Sequence, residues 1–304
     1  GGAAARALAA ARALEPPRLA TGSMPSTRCM ALCVLFCATS PSAAFQRKWR
    51  GKGKGGRGGA ADAAPPQNAF DQVDCPKCMS TVMRLLVRHD RGCPGSPNGT
   101  VIPSTDPRRV PTAFCSTLLP KKRACIAYSF GLDGSWDFDK QMVSSTCRVL
   151  SFDPLCCGGS HRMGPSHDFI PIGLHWYDGL TDSDDPAHPN TTFPVLTLNT
   201  IKTSYEHPKV DVLRLKVGTS HEWKVLKNLV NTGTIQEIRQ LSLNLRMEDP
   251  TMWEEYRTIL NGVRAAGFWP YYVQKQVGAT YLKVQEGATS LFSAYEVAFG
   301  NQNA

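Results

Sequence analysis

The chain has 304 residues, 42% of them hydrophobic, 19% charged and 9% aromatic, which is enough apolar material for one or two domains with a packed core. That composition excludes a disordered, collagen-like or heptad-repeat chain, and no apolar run approaches the roughly 20 residues of a membrane span. The formal net charge of +9 divides unevenly: residues 1–70 carry ten Lys/Arg against two acids, leaving 24 against 23 in residues 71–304. The part able to fold is almost neutral, which argues against nucleic acid as its partner.

Residues 1–44 read as a leader. Three readings stand for the Ala- and Arg-rich stretch 1–23: sequence upstream of a start at Met24, a mitochondrial transit peptide, or an Ala-rich helical leader. From Met24 the pattern is that of a signal peptide. Arg28 gives a small basic region, Met30–Ala38 a short apolar core, and Ser42-Ala43-Ala44 a small-residue cleavage site. The expected destination is therefore secretion or the secretory-pathway lumen, with the mitochondrion as the alternative. Residues 45–70 form a Gly/Lys/Arg-rich linker too poor in apolar residues to fold alone. Its basic segment 47–57 is either a solvated linker or an arm that contacts polyanions.

Two sequons, Asn98-Gly99-Thr100 and Asn190-Thr191-Thr192, lie in Pro/Gly/Asp-rich loop sequence and agree with a secretory destination. Without the signal region, eight of the 11 cysteines remain: Cys75, Cys78, Cys93, Cys115, Cys125, Cys147, Cys156 and Cys157. An even number suits disulfides but does not give their pairing. Cys75-Pro76-Lys77-Cys78 is a CxxC, the spacing of half a zinc site or of a redox pair. Zinc would need a second CxxC or a His pair, and Cys156-Cys157 are adjacent instead. A thioredoxin-like pair would need a strand before it, and Gln72–Lys77 does not read as one. Structural disulfides are the expectation, with no metal.

Residues 71–119 are expected to form an extension that caps the core, and residues 120–304 the main domain. In that domain strands and helices alternate. Strands are predicted at Ala124–Phe130, Arg148–Phe152, Phe169–Leu174, Val210–Lys216 and Gln240–Leu245. Helices are predicted at Trp136–Ser145, Leu196–Tyr205, around Trp223–Val230, and at Trp253–Ala266, where Trp253, Tyr256, Ile259, Leu260 and Val263 form one stripe. Phe268–Val273 and Ser290–Phe299 are two further strands with no helix between them, so they belong to an antiparallel arrangement. The expected fold is α/β: a Rossmann-like, mainly parallel sheet ending in an antiparallel hairpin, the architecture of class I methyltransferases. Ligands of such sheets bind beyond the carboxyl ends of the strands, at the switch point.

The residues at those strand ends carry a resemblance. Tyr128-Ser129-Phe130-Gly131-Leu132-Asp133 with Trp136-Asp137-Phe138-Asp139, and then Cys147–Pro154, resemble the first two motifs of the methyltransferase-like protein 24 family, which is related to FkbM-type O-methyltransferases. Pro171–Leu174, Leu196–Ile201, Val212–Lys216, Glu222–Leu226, Gly267-Phe268 and Tyr295-Glu296-Val297 continue the series. The resemblance runs from about residue 75 to 304, most specifically from 124 to 246.

It implies an S-adenosyl-L-methionine-dependent methyltransferase acting on an O or N acceptor of unknown identity. Gly131, Asp133, Asp153 and Gly173 would hold the cofactor. Asp153, ending the second strand, would accept the ribose hydroxyls, and Gly131 would let backbone approach the carboxypropyl end. His175, Asp178, His221 and Glu222 are the candidates for a base.

Two departures accompany the resemblance. The family's acidic stretch after strand four is replaced by Leu215–Trp223, one residue shorter and without its inner acids, and its Glu-x-His after strand five is Asn244-Leu245-Arg246. The alternative reading is accordingly a catalytically degenerate member acting as a binding module.

Overall fold

The structure, a computed structural model, describes residues 74–303 apart from 88–89, 97, 133, 184, 186, 219–220 and 283–290. The leader, the signal-peptide reading, the basic segment 47–57 and Asp133 lie outside the described residues.

The chain enters through helix α1 (Pro76–Leu86), which has no counterpart among the predicted elements. Proline stands in its first turn, where a missing N–H costs nothing. A short hairpin follows, β1 (Thr100–Ile102) with β2 (Thr112–Phe114). Next come β3 (Cys125–Phe130), α2 (Asp137–Ser144), β4 (Cys147–Phe152), β5 (His161–Gly164) and β6 (His167–Ile170). After them lie β7 (Gly173–Leu174), β8 (Gly179–Asp182), β9 (Thr192–Leu196) and α3 (Leu198–Ser204). The second half contains β10 (Val212–Leu215), α4 (His221–Asn231), β11 (Gln240–Arg246) and α5 (Trp253–Ala265). It closes with β12 (Phe268–Lys275), the small pair β13 (Tyr281–Leu282) and β14 (Leu291–Phe292), and β15 (Ala294–Asn301).

Eight strands form the main sheet in the order β12-β15-β11-β10-β3-β4-β6-β5. The pairs β3–β4, β4–β6, β3–β10 and β10–β11 are parallel, while β15 runs antiparallel to both β11 and β12. The mainly parallel, Rossmann-like sheet with a C-terminal antiparallel hairpin is therefore present. From β3 the chain steps outward through β4 to β6 and then returns to β10 on the other side of β3. That reversal makes the gap between the tips of β3 and β10 the switch point.

The predicted third strand, Phe169–Leu174, is two strands. Pro171 has no N–H to continue the ladder, so β6 ends at Ile170, and Gly173-Leu174 pair with β9 in a separate three-stranded sheet, β7-β9-β8. The last strand begins at Ala294 rather than Ser290, because Leu291-Phe292 turn back on Tyr281-Leu282.

The two faces of the sheet differ in character. On one, Tyr128, Phe130, Leu150, Phe152, Leu213, Leu215, Leu241 and Leu243 join the apolar stripes of α1, α4 and α5 in the main core. The stripe predicted for α5 is buried along its whole length. On the other face the side chains are smaller or polar. Ala127, Val149 and Val212 meet Phe138 and Met142 of α2 and Ile102 and Phe114 of the β1–β2 hairpin. Ser129, Ser151, Arg214, Ser242 and Glu296 stand in the same layer and are all buried.

Asp211, fully buried at the start of β10, ties the N-terminal end of the sheet together. Its carboxylate accepts from Arg123 Nη1 and Nη2 at 2.8 and 2.7 Å and from the Ile126 N–H at 2.9 Å, and Arg239 Nε lies 3.5 Å away. Removing one partner of a buried pair strands the others. Asp211→Ala is expected to cost about 3 kcal/mol in chemical denaturation. An unchanged midpoint would show that the network carries no stability.

Candidate cofactor site at the strand tips

β3 and β4 end side by side, and their tips are joined by hydrogen bonds. Gly131 N donates to Phe152 O at 3.0 Å, and Leu132 N donates to Asp153 Oδ2 at 3.0 Å. The other carboxylate oxygen, Asp153 Oδ1, accepts from Leu155 N at 3.0 Å. The structure thus brings Gly131 and Asp153 together. Two backbone donors from different loops fix the Asp153 carboxylate at the tips of β3 and β4.

Gly131 has φ +75°, and a Cβ there would stand 1.7 Å from the carbonyl oxygen of Lys216. Its missing side chain is thus needed first for the close approach of the β3 and β10 tips, where Lys216 N also donates to Phe130 O at 3.0 Å. Gly173 stands in β7, with Val195 and Phe193 against the space its side chain would fill.

A hollow of about 410 Å³, counting its open mouth, lies at the switch point on the polar face. Its walls are Ile102–Ser104, Arg109, Val110 and Thr112 of the N-terminal extension, Ser135, Asp137 and Phe138 after β3, Arg214 of β10 and Lys216 just past it, and Gln276 and Glu296 at the hairpin. Neither Gly131 nor Asp153 is among the lining side chains: Gly131 belongs to the loop that supplies Ser135, whereas the loop after β4 contributes no lining residue.

Charges of both signs are held inside it. Arg214 Nη1 donates to Ser129 Oγ and Gly131 O, each at 3.3 Å, and its guanidinium lies 5.5 Å over the Phe138 ring. Glu296 accepts from Ser242 Oγ at 3.3 Å and from Gln276 Nε2 at 3.1 Å. Burial raises the Glu296 carboxyl above its ordinary value, and the charges of Arg214 and Lys216 work against that rise. Asp137 accepts from Thr105 N, Thr105 Oγ1 and Ser135 Oγ, each at 2.9 Å. Burial would raise its carboxyl, but these hydrogen bonds and the Lys140 charge prevail and lower it.

The candidate bases separate into different environments. Asp178 accepts from Thr197 N at 2.6 Å and Thr200 Oγ1 at 2.7 Å, so its carboxylate supports the N-terminus of α3. His175 is buried and stacks on Trp176 at 3.6 Å, with the His221 ring 5.6 Å away. Its Nδ1 has no hydrogen-bond partner among the described residues, and burial, then the charges of His221 and Lys224, push its pKa down to about 4. Glu222 opens α4, fully buried. Oε1 accepts from Gly218 N at 2.9 Å, and Oε2 has no partner among the described residues. Burial raises its carboxyl to about 7 despite the backbone donors and Arg246.

Asp137, Arg214, Gln276 and Glu296 line the hollow although the sequence alone assigns them to no site, whereas Ser135 and Lys216 stand in the strand-end stretches 131–135 and 216–222 where a ligand is expected. Arg214 carries a signal of its own, a cation on a strand whose neighbours Leu213 and Leu215 are core. At the end of β11, Asn244 is buried and Arg246 is exposed, its carbonyl taking a 2.6 Å hydrogen bond from Trp223 Nε1.

Comparison with known proteins agrees with the motif series. "Probable methyltransferase-like protein 24" of Homo sapiens is 32% identical over 141 residues, 43% of this chain and 35% of that protein. The Rattus norvegicus protein of the same name is 32% identical over 138 residues, with the same shares covered. The match therefore spans about a third of the length of these curated relatives. No protein-family model matches the chain. A solved precorrin-6y C5,15-methyltransferase from Geobacter metallireducens GS-15 aligns over 61% of this chain and 84% of that one at 8% identity, but its TM-score of 0.28 is too low to bear on fold or function. Over about 140 residues the chain is similar to methyltransferase-like protein 24, the family that its strand-end motifs resemble.

Proposed function

We propose that the chain binds S-adenosyl-L-methionine at the β3–β10 switch point and transfers its methyl group to an oxygen or nitrogen acceptor. The observations that carry this reading are a carboxylate, Asp153, bonded to the β3 tip through Leu132 N, and a hollow at the β10 tip lined by side chains of both charges. The chemistry of that donor set fits the cofactor. Asp153 would accept from the ribose hydroxyls, Arg214 and Lys216 would face the α-carboxylate, and Asp137 and Glu296 the α-ammonium. Gly131, and Asp133 outside the described residues, belong to the same loop. When bound, the cofactor supplies a methyl group already activated on a sulfonium, so the protein's task is alignment and deprotonation of the acceptor.

Glu222 is the base considered in this proposal: it lies in the first turn of the helix after β10, and burial raises its carboxyl to about 7. It is not among the side chains that line the hollow, so a role in proton transfer requires an approach from the β10 tip. The sign can be checked in two ways. The folded pKa of about 7 lies above the ordinary 4.5, so the folded form binds more protons and stability should fall as pH rises from about 4.5 to about 7. Transfer should rise over the upper part of that range as the carboxylate forms. Glu222→Gln is expected to flatten the stability trend and reduce transfer by about 100-fold. An unchanged rate would remove Glu222 from the role.

The described disulfides favour an oxidising compartment, the secretory lumen or the outside of the cell. Titration calorimetry with S-adenosyl-L-methionine and its demethylated product tests the reading: a single site is expected for both, and no heat from either would refute it. Binding without transfer to any acceptor would favour the degenerate member, the reading that Asn244 and Arg246 support.

A further inference from the structure

Four disulfides lie among the described residues, and they are not alike: in Cys156–Cys157, between adjacent residues, both cysteines are partly exposed. In Cys93–Cys115 and Cys125–Cys147 all four cysteines are buried. Cys75–Cys78 is asymmetric: Cys75 is partly exposed, whereas Cys78 is 2% exposed. Cys75 is the N-cap residue of α1, an 11-residue helix, and Pro76 stands in the first turn. A CxxC opening a helix, one of the two features expected of a redox pair, is therefore present, and the residues before Asp74 lie outside the described ones.

A second helix end supplies a proton acceptor. The two Sγ atoms and a carboxylate oxygen of Glu254, in the first turn of α5, all lie within 4.8 Å of one another. The approach is held by Asp74, whose N–H donates to Pro250 O at 3.1 Å and whose carboxylate accepts from Trp253 N at 3.1 Å and Glu254 N at 3.4 Å. Asp74 is thus engaged on α5, and Glu254 is exposed, paired with Arg257 at 2.7 Å. Lys77, exposed in the same turn, adds positive charge beside the N-terminus of α1.

We propose that Cys75–Cys78 is an exchange-competent disulfide that oxidises dithiols, an activity separate from methyl transfer. One thiolate of the dithiol attacks the accessible Cys75 Sγ. The Cys75–Cys78 bond breaks, and its electron pair leaves on Cys78 Sγ, which takes a proton relayed by Glu254. The second thiolate then attacks its own sulfur in the mixed disulfide and releases Cys75 as a thiolate. The dithiol loses two electrons and two protons in becoming a disulfide; the CxxC gains both electrons and the proton on Cys78, and the second proton is left in water while Cys75 is a thiolate. Oxidised glutathione returns the pair to the disulfide by the reverse exchange.

The test uses the full chain in glutathione buffers of increasing reducing strength, with acid quenching, alkylation and peptide mapping. Cys75 and Cys78 are expected to open at a reduced-to-oxidised glutathione ratio at least tenfold below that needed for Cys93, Cys115, Cys125 and Cys147. Opening together with those buried pairs would overturn the proposal. Cys78→Ser should retain glutathione on Cys75, whereas Cys75→Ser should leave Cys78 unmodified, and equal adducts on both would contradict the assigned roles. The wild-type chain should also speed the oxidation of a dithiol peptide by oxidised glutathione at least tenfold over Cys75→Ser, with Glu254→Gln between them. Equal rates for wild type and Cys75→Ser would show an exposed but inert bond. Exchange is read here without S-adenosyl-L-methionine, so its failure and the failure of cofactor binding are separate results.

Discussion

Gly131→Ala is expected to lower the melting temperature by roughly 10 °C, since about 4 kcal/mol at 2–4 °C per kcal/mol is the scale for a domain of this size. Two costs combine. A side chain at φ +75° is strained by roughly 1–3 kcal/mol. The new methyl would also fall 1.7 Å from the Lys216 carbonyl oxygen, and relieving such an overlap between backbones costs roughly another 1–3 kcal/mol. Because Lys216 N is bonded to Phe130 O, the β10 tip cannot move without breaking the parallel ladder at the switch point. Gly218→Ala is the control: its φ is +85° but nothing lies within 4 Å, so only the conformational cost remains. Scanning calorimetry that finds the two variants equally stable would show that the tips are not held in contact.

Arg214→Met should leave the fold intact and weaken S-adenosyl-L-methionine by about two orders of magnitude, the usual scale for deleting one member of a desolvated charge pair. Arg214 is fixed by Ser129 and the Gly131 carbonyl, so its guanidinium enters the hollow at little entropic cost. Without it, Glu296 loses the first of the two cations that oppose its burial, and its carboxyl rises further. The variant's residual binding should therefore weaken on going from neutral to acidic pH more than the wild type's does, because the protonated Glu296 no longer attracts the α-ammonium. Calorimetry that returns the wild-type Kd would place the carboxylate of the ligand elsewhere.

Much of this architecture can be read in the residues, for identifiable reasons. The stripe of α5 and the apolar cores of β3, β4 and β11 are strong local patterns bounded by Gly131, Asp153-Pro154 and Gly267, and the structure places those elements within a few residues of expectation. The short strands β5, β8 and β9 escape because they are partly exposed, with a half-buried and exposed alternation in β8 and a proline within β9. The split at Pro171 was signalled by its chemistry but hidden by the apolar run around it.

The site divides along similar lines. Glycine and aspartate at strand ends can be found by position, so Gly131 and Asp153 are recognisable. The hollow beside them is assembled from Asp137, Arg214 and Glu296, which are far apart in the chain and meet only because β10 and β15 lie where the sheet order puts them. No local pattern carries that meeting. The orphaned Oε2 of Glu222 is likewise a product of packing, since the same Glu at an exposed helix start would be an ordinary first-turn acid.

Amide hydrogen exchange, with and without the demethylated product of S-adenosyl-L-methionine, tests most directly where the ligand sits. Slower exchange is predicted in the segments 131–137, 153–157 and 214–218 together, and Asp153→Ala should abolish it in all three. Protection confined to other parts of the chain, or none at ligand concentrations that saturate the calorimetric signal, would contradict a cofactor site between β3 and β10.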